Sequence, residues 1–251
     1  MWLKPFKFMR IELRTLSFFL SLSFLLSGCS FNDNSLKGSG KKERQSREIS
    51  YFSRIEVDGP INAFLKQSDE RSVVVETDSN LIDNIQTSVE GNILKISYYK
   101  PQEYSKVDTS IGLNVYISNP DFNEIRNFGP ANVASDSVIS QEYLELVNSG
   151  SGDIKLTLSV ETLNADNKGS GFIQLKGDTY HQNIAIYGSG QYEGLNLMSQ
   201  SASVVIIGAG DASLSVEKEL DIQILGSGDV KYKGDPKISS QVIGSGTIKK
   251  L

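Results

Sequence analysis

The sequence has few of the residue types from which the commonest protein sites are built. Its 251 residues include one cysteine and one histidine, which excludes an internal disulfide framework and argues against multi-histidine metal sites and histidine-centred triads. It also lacks an excess of basic residues. Because 25 Lys and Arg stand against 30 Asp and Glu, a net charge of −5, no nucleic-acid partner is expected. Apolar residues still make up 39% of the chain, enough to build a core in most of it.

No hydrophobic run is long enough to span a membrane comfortably. The run at residues 16–26 has 11 residues and is apolar apart from three serines, whereas a spanning helix needs about 20. Four basic residues precede it, namely Lys4, Lys7, Arg10 and Arg14. A positive segment followed by a short apolar segment is typical of a signal peptide, so we expect residues 1–28 to be removed.

The end of this leader indicates a lipid anchor. Residues 26–29 read Leu-Ser-Gly-Cys and resemble the bacterial lipobox, in which the cysteine sulfur receives a diacylglycerol before cleavage. Two or three acyl chains on Cys29 would hold the mature protein on a bilayer. An ordinary secretory leader with an incidental cysteine and an uncleaved anchor are the alternatives. Ser30 in place of an aspartate favours the outer membrane, by analogy with lipoprotein sorting, and leaves open which face carries the protein.

Residues 29–50 are predicted to be the lipidated cysteine and a flexible linker. They are polar and lack apolar periodicity, and as a coil residues 30–50 would span about 25 Å. The leader contains four basic residues and one acidic residue, so its removal would leave 21 Lys and Arg against 29 Asp and Glu, a net charge of −8. The sequence thus predicts an acidic folded body on a lipid tether.

A repeat in the second half of the chain predicts the fold. Gly-Ser-Gly recurs every 18–20 residues, with Gly-Ala-Gly in one gap, and alternating apolar positions flank each copy, which is strand patterning. A repeat this short cannot bury its own apolar face, so its copies should stack as a parallel β-solenoid with the glycines at a corner. A β-sandwich of meandering hairpins is the alternative, although it does not require constant spacing. The copies lie at 150–152, 169–171, 188–190, 208–210, 226–228 and 244–246.

Residues 51–128 lack the motif and are predicted to form an irregular, strand-rich cap on one end of the solenoid, because terminal repeats must be atypical to close the core. A short helix is expected near Ser79. No domain boundary is evident, so residues 51–251 are predicted to be one all-β domain, with the cap at 51–128 and the coils at 129–251. The strands expected in the cap are 54–57, 61–67, 72–77, 93–99 and 113–117.

The combined pattern resembles a known family. Residues 52–59 read FSRIEVDG, residues 89–96 read VEGNILKI, and the serial Gly-Ser-Gly copies follow. This combination is similar to the putative auto-transporter adhesin, head GIN domain family, over residues 51–251. The resemblance implies a secreted or lipid-anchored envelope protein with a right-handed parallel β-helix, in a family without established catalytic residues.

The repeat also places acidic residues in register. Asp153, Asp211 and Asp229 follow the second glycine of their copies, and the last two would lie on adjacent coils about 4.8 Å apart. Stacked carboxylates could bind Ca²⁺, or the aspartates could be ordinary turn formers. With Lys231 or Lys233, the same pair is the one arrangement that resembles a glycan-processing site. No nucleophile, nucleotide or phosphate motif is found, so the sequence predicts neither a catalytic residue nor a cofactor.

Four tyrosines of the predicted cap are candidates for ligand binding, namely Tyr98, Tyr99, Tyr104 and Tyr116. They could form a platform on which sugars stack, or they could be the aromatic residues common in strands. We therefore predict a non-catalytic, lipid-anchored envelope protein, an adhesin or scaffold that presents its solenoid to a glycan or a protein. A glycan-processing enzyme and a periplasm-facing structural or sensory partner of an envelope complex are the alternatives.

Overall fold

The structure is a computed structural model that describes residues 34–251. The predicted signal peptide at 1–28 and the predicted lipidation site at Cys29 lie outside the described residues. Residues Ser35–Leu251 form one compact unit, and this part of the chain contains no helix long and apolar enough to cross a membrane. Its first strands are β1 (Ser35–Lys37), β2 (Lys42–Arg47), β3 (Arg54–Asp58), β4 (Asn62–Gln67), β5 (Ser72–Asp78), β6 (Ile85–Glu90), β7 (Ile93–Tyr98), β8 (Lys106–Asp108), β9 (Asn114–Asn119) and β10 (Glu124–Asn127). The remaining strands are β11 (Asn132–Asn148), β12 (Ile154–Asn167), β13 (Phe172–Gly188), β14 (Gln191–Gly208), β15 (Asp211–Gly226), β16 (Val230–Lys233), β17 (Lys237–Gly244) and β18 (Ile248–Lys250).

Strands β11 to β18 form the predicted solenoid. Each coil pairs in parallel with the next, and the alternating apolar positions point into a continuous core. One column of apolar positions is confirmed residue by residue, because its members are successive partners in the register. They are Val133, Ile154, Ile173, Tyr192, Ala212, Val230 and Ile248. The sequence period therefore corresponds to one coil, and the β-sandwich alternative is wrong.

The Gly-Ser-Gly copies lie where one strand ends and the next begins, and close stacking requires glycine there. A Cβ built on Gly150, Gly169 or Gly226 would come within 3.0 Å of the carbonyl oxygen of the glycine one coil earlier. Gly226 also has a φ of 141°, which residues with a side chain rarely adopt. The close approach of neighbouring coils thus explains why glycine recurs at this corner.

The cap extends the parallel stack but no longer follows chain order. β10 pairs with β11 on one side and with β3 on the other, β3 pairs with β7, and β4 pairs with β11 and β9. Antiparallel β6, β5 and β2 then cover the end. The prediction of irregular coils and hairpins is confirmed, although parallel stacking begins before residue 129. The helix expected near Ser79 is a 3₁₀ turn at Ile82–Asn84, which has no side-chain cap.

The prediction of a flexible linker through residue 50 is wrong for residues 35–47, which we call the N-terminal strap. In the strap β1 pairs with β8, and β2 pairs antiparallel with β5. The fully buried Asp78 fastens it, because its carboxylate accepts hydrogen bonds from the Gly40 N–H at 2.6 Å and from the Thr109 hydroxyl. β2 is almost wholly exposed, so its sequence carries no apolar pattern from which the strand could be predicted.

A chain of buried polar side chains crosses the apolar interior of the solenoid. The Tyr192 hydroxyl donates to Gln182 Oε1 at 2.7 Å, and Gln182 Nε2 donates to Ser199 Oγ at 2.7 Å. Ser199 Oγ in turn donates to the carbonyl oxygen of Ser215 at 2.8 Å. Because these groups satisfy one another, the network avoids the cost of an unpaired buried polar group. Burial raises the pKa of the Tyr192 phenol far above its ordinary value of 10.0.

The Tyr192 phenol should make the protein less stable in alkali. The folded state keeps the phenol protonated, whereas the unfolded chain loses this proton near pH 10, so the contribution is complete below about pH 10 and is lost as the pH rises. In Tyr192→Phe, denaturant unfolding should show a smaller loss of stability between about pH 9 and pH 11 than in the wild type. At pH 7 the variant should lose about 1 kcal/mol, because Gln182 loses its donor. Parallel pH curves for the two proteins would refute this role.

Candidate functional site

One regular surface of the solenoid is built from the side chains that point away from the core. Along residues 181–187, positions 181, 183, 185 and 187 point outward, and the parallel register repeats these positions on each coil. We call this surface the ladder face, and it extends about 24 Å along the solenoid axis and about 20 Å along the strands. Its segments are residues 143–149, 162–168, 181–187, 201–207, 219–225 and 237–243.

A row of hydrogen-bonded side chains runs across the ladder face from coil to coil. Asn183 Nδ2 donates to Asn164 Oδ1 at 2.9 Å, and Asn164 Nδ2 donates to the Tyr143 hydroxyl oxygen at 2.8 Å. Burial is the main cause that raises the pKa of Tyr143, so its phenol remains neutral. We call these three residues the amide ladder. Each amide has two N–H donors and two acceptor lone pairs, so the ladder can hold its own geometry and still bond a ligand.

Small side chains beside the amide ladder leave a groove. Ala185 and Val205 are partners in the next outward column. Together with Asn164, Asn183 and Ser203 they line a depression of about 260 Å³. The column is small on these two coils only, because Asp166 precedes Ala185 and Gln223 follows Val205 in the register. Asp166 and Glu145 also line the depression.

An exposed row of large apolar side chains borders the other side of the groove. Tyr187, Ile207, Leu225 and Ile243 are successive partners in the register, and 43%, 44%, 44% and 57% of their surfaces are exposed. Neighbouring coils are about 4.8 Å apart, so these side chains form a continuous apolar stripe. Contiguous exposed apolar surface marks interaction sites on soluble proteins. The ladder face thus offers hydrogen-bonding groups and apolar surface side by side.

Toward the cap, ion pairs replace the amides in the same column. Arg54 Nε and Arg126 Nε both donate to the carboxylate of Glu124, which is 6% exposed. The hydrogen bond to Glu124 raises the pKa of Arg126. The Glu124 charge is neutralised within this cluster. We therefore assign the cluster a structural role at the cap end of the ladder face rather than a role in ligand binding.

The four tyrosines predicted as a platform have different surroundings. Tyr116 on β9 stacks on Phe64, with ring centroids 5.1 Å apart. Tyr98 is on β7, a strand that does not pair with β9. Tyr99 is 58% exposed and Tyr104 is half-buried. Their role in sugar binding stays a prediction. Tyr98 also lines a cavity.

Tyr98 lines a cavity of about 410 Å³ in the cap, which we call the Tyr98 cavity. The Tyr98 hydroxyl is buried and has no hydrogen-bond partner among the described residues. Burial also raises the pKa of this phenol. One wall of the cavity comes from β8, which the N-terminal strap holds through β1. The other residues that line it are Pro60, Lys100, Ser105, Lys106 and Val107.

The aspartates considered for calcium join neighbouring coils. Asp211 Oδ1 accepts the Asp229 N–H at 2.9 Å, and Asp229 Oδ1 accepts the N–H and the hydroxyl of Thr247 at 2.9 and 2.7 Å. These bonds from Thr247 lower the pKa of Asp229. Asp153 pairs with Lys155 at 2.7 Å. Within residues 34–251 no group of three or more His, Cys, Asp or Glu is placed to hold a metal ion, and the hydrogen bonds favour the turn interpretation.

A second groove, of about 340 Å³, contains the side chains of Lys155, Lys176 and Glu193. Glu193 is the one carboxylate among its lining residues, and its Oε1 accepts the Leu195 N–H at 3.2 Å. Glycoside hydrolysis generally requires two carboxyl groups. This groove therefore does not favour the glycan-processing alternative.

A family model described as putative auto-transporter adhesin, head GIN domain, matches residues 51–236. No curated protein matches the chain. The match agrees with the resemblance of the sequence motifs and covers both the cap and most of the coils.

Several solved structures have the same fold. A putative adhesin from Bacteroides fragilis is 25% identical with a TM-score of 0.80, and the alignment covers 86% of this chain and 100% of that one. A putative lipid binding protein from Parabacteroides distasonis is 26% identical with a TM-score of 0.69, covering 86% and 99%. A putative adhesin from the same organism is 25% identical with a TM-score of 0.69, covering 86% and 100%. These likenesses confirm the predicted all-β solenoid.

Proposed function

Since the chain belongs to the putative auto-transporter adhesin, head GIN domain family, we propose that it is a non-catalytic adhesive protein of the cell envelope that binds an extended partner along its ladder face. The solved relatives named as putative adhesins support this proposal. The mechanism is surface complementarity over several coils, and it requires no reaction at any side chain.

The observation that carries the proposal is the groove between the amide ladder and the apolar stripe. Its two sides offer different chemistry, with the amides of Asn164 and Asn183 on one side and Tyr187 and Ile207 on the other. A glycan chain has hydroxyl edges for the amides and apolar ring faces for an aromatic side chain such as Tyr187. An extended glycan therefore fits this surface best, and a protein with alternating polar and apolar groups is the second class of partner.

We further propose that the protein is lipid-anchored at Cys29. The lipobox-like residues 26–29 support this proposal, and with β1 beginning at Ser35 only residues 30–34 would separate the anchor from the first strand. Because lipidation precedes cleavage, Cys29→Ala should keep residues 1–28 and incorporate no labelled palmitate, whereas Ser30→Ala, the matched control, should be cleaved and labelled like the wild type. Labelling of Cys29→Ala, or no labelling of the wild type, would refute the anchor.

Protease treatment of intact cells tests whether the body faces outward. Adhesion requires that added protease remove the folded body from intact cells while a periplasmic reference protein survives. Protection of both proteins until the outer membrane is opened would contradict surface adhesion. That result would instead favour the periplasm-facing structural or sensory alternative.

A second candidate function is the binding of a small amphipathic molecule, and the Tyr98 cavity is the observation that favours it. Its volume of about 410 Å³ is within the range of ordinary ligand pockets, and one solved relative is named as a putative lipid binding protein. The two functions use different parts of the molecule, because the cavity is in the cap and the ladder face is on the coils. They can therefore be tested separately.

A further inference from the structure

We infer that the protein has a second sugar-binding site, in which a pyranose ring of a glycan stacks on Phe64 and bonds through its hydroxyl groups to a row of asparagines. The residues of this site do not belong to the ladder face. The inference therefore goes beyond the proposed adhesive surface and is tested independently of it.

The aromatic part of the site is the pair Tyr116 and Phe64, which we call the aromatic platform. The centroids of their rings are 5.1 Å apart, and the ring planes are inclined by 19°. Arg44 covers the other face of Tyr116, with its Cζ 5.2 Å from the ring centroid, because β2 and β4 lie on opposite sides of β9 in the sheet. The Tyr116 hydroxyl donates to Glu76 Oε1 at 3.4 Å. These contacts hold Tyr116 in place, so Phe64 rests on a rigid support.

The face of Phe64 that is turned away from Tyr116 is open to a ligand. The next strand along the sheet is β11, where the register partner of Phe64 is Ala134. The methyl group of Ala134 is too short to cover a ring, and Ala134 lines the second groove, of about 340 Å³. The space beside Phe64 therefore continues into a groove whose volume is within the range of ordinary ligand pockets.

A row of hydrogen-bonded asparagines runs beside the aromatic platform, two residues earlier on each strand. Asn132 Nδ2 donates to Asn62 Oδ1 at 3.1 Å, and Asn62 Nδ2 donates to Asn114 Oδ1 at 3.0 Å. Each amide has two N–H donors and two acceptor lone pairs, so the row holds its geometry and retains groups for a ligand. Positions two residues apart on a strand are separated by about 7 Å, so a sugar stacked on Phe64 can reach Asn132 through its hydroxyls.

The combination of an open ring face and a row of amides favours a sugar over an aromatic side chain. A pyranose has an apolar face that can stack on an aromatic ring, and hydroxyls around its rim that both donate and accept hydrogen bonds. An aromatic side chain could stack equally well, but it offers few polar groups to the amides. The ligand that uses both parts of the site is therefore a sugar.

The test titrates four probes, linear pentasaccharides of glucose, mannose, N-acetylglucosamine and galacturonic acid, into residues 30–251, which contain every strand of the described unit. Calorimetry should detect at least one of them with a Kd of about 1 mM or lower. Phe64→Ala, which removes the stacking surface, and Ala134→Leu, which covers the open face of Phe64, should each lose at least about tenfold in affinity for that probe. Ala209→Leu is the matched control, because it adds the same side chain to an exposed alanine outside the groove, and it should bind like the wild type.

Two further variants locate the bound sugar. The single tryptophan of the chain is Trp2, so residues 30–251 contain none and Phe64→Trp adds one at the aromatic platform. Its fluorescence should shift to shorter wavelength when the bound probe excludes water from the indole. Asn132→Ala, which removes the exposed end of the asparagine row, should weaken binding by about fivefold, the effect of one hydrogen bond.

Three results would overturn the inference. If no probe binds while the circular dichroism spectrum shows a folded β protein, the aromatic platform is not a sugar site. If a probe binds Phe64→Ala and Ala134→Leu as tightly as it binds the wild type, its site lies elsewhere. If Asn183→Arg is the variant that loses the probe, the sugar binds the ladder face, and the proposed adhesion is supported while the second site is refuted.

Discussion

Replacement of Gly226 by alanine is expected to lower the free energy of unfolding by about 4 kcal/mol, which combines the strain of an unfavourable φ with that of a steric overlap. The φ of 141° is one that alanine rarely adopts, and the new Cβ would overlap the carbonyl oxygen of Gly208 on the preceding coil. The overlap can be relieved only by moving the two coils apart, and the strain in φ only by changing the backbone of the corner. The measurement is the thermal midpoint, which should fall by about 8–16 °C.

Ser227→Ala is the control, because Ser227 occupies the exposed middle of the same Gly-Ser-Gly corner and its backbone can keep its bond to Gly208. We expect a change within about 0.5 kcal/mol for this variant. If Gly226→Ala were as stable as the control, close stacking of the coils would not be the reason for the repeated glycines.

Replacement of Asp78 by alanine is expected to release the N-terminal strap and to cost about 3 kcal/mol, because two hydrogen bonds to a buried carboxylate are lost. The Gly40 N–H and the Thr109 hydroxyl would lose their acceptor. Both the thermal midpoint and limited trypsin digestion should report the change. In the variant, cleavage after Arg44 and Arg47 should precede cleavage anywhere in the coils.

Asp83→Ala is the matched control, since Asp83 is an exposed aspartate in the neighbouring 3₁₀ turn. It should keep the strap resistant to trypsin and should change the stability by less than about 0.5 kcal/mol. Early cleavage of the strap in the wild type, or its full protection in Asp78→Ala, would contradict the assignment of Asp78 as the residue that fastens it.

The coils could be predicted from the sequence because each coil repeats the same physical requirements. Glycine is needed where backbones approach, and apolar residues are needed at alternate positions, so both recur every 18–20 residues. Once the copies are aligned, the column that contains Tyr192 follows directly, and the structure confirms it. The family resemblance could be recognised for a similar reason, because residues 52–59 and 89–96 are short contiguous sequence patterns.

The apolar stripe was also present in the sequence, although the alternation alone did not indicate it. Tyr187, Ile207, Leu225 and Ile243 each precede the first glycine of a copy. Alternation assigns this position to the outside, where a large apolar residue has no role in the core. Four such residues in one column are therefore a signal of a binding surface that a search for catalytic motifs does not detect.

The strap and the Tyr98 cavity could not be predicted, because they depend on contacts between distant segments. β2 is polar and exposed and is a strand only because β5 offers it an edge. The cavity combines Pro60 and Tyr98 with residues 105–107, which belong to three separate parts of the cap. Neither arrangement leaves a periodic trace in the sequence.

The ligand affinity of a protein variant whose groove is filled tests the proposed adhesion most directly. Residues 30–251 are applied to an array of glycans and matrix proteins in three forms. The first is the wild type, and the second is Asn183→Arg, which fills the groove. The third is Gln191→Arg, which adds the same charge at an exposed position outside the groove. The account predicts that the wild type and Gln191→Arg bind the same ligands and that Asn183→Arg loses at least about tenfold in affinity for them, the effect of about 1.4 kcal/mol. Equal binding by all three proteins would show that the ladder face is not the adhesive surface.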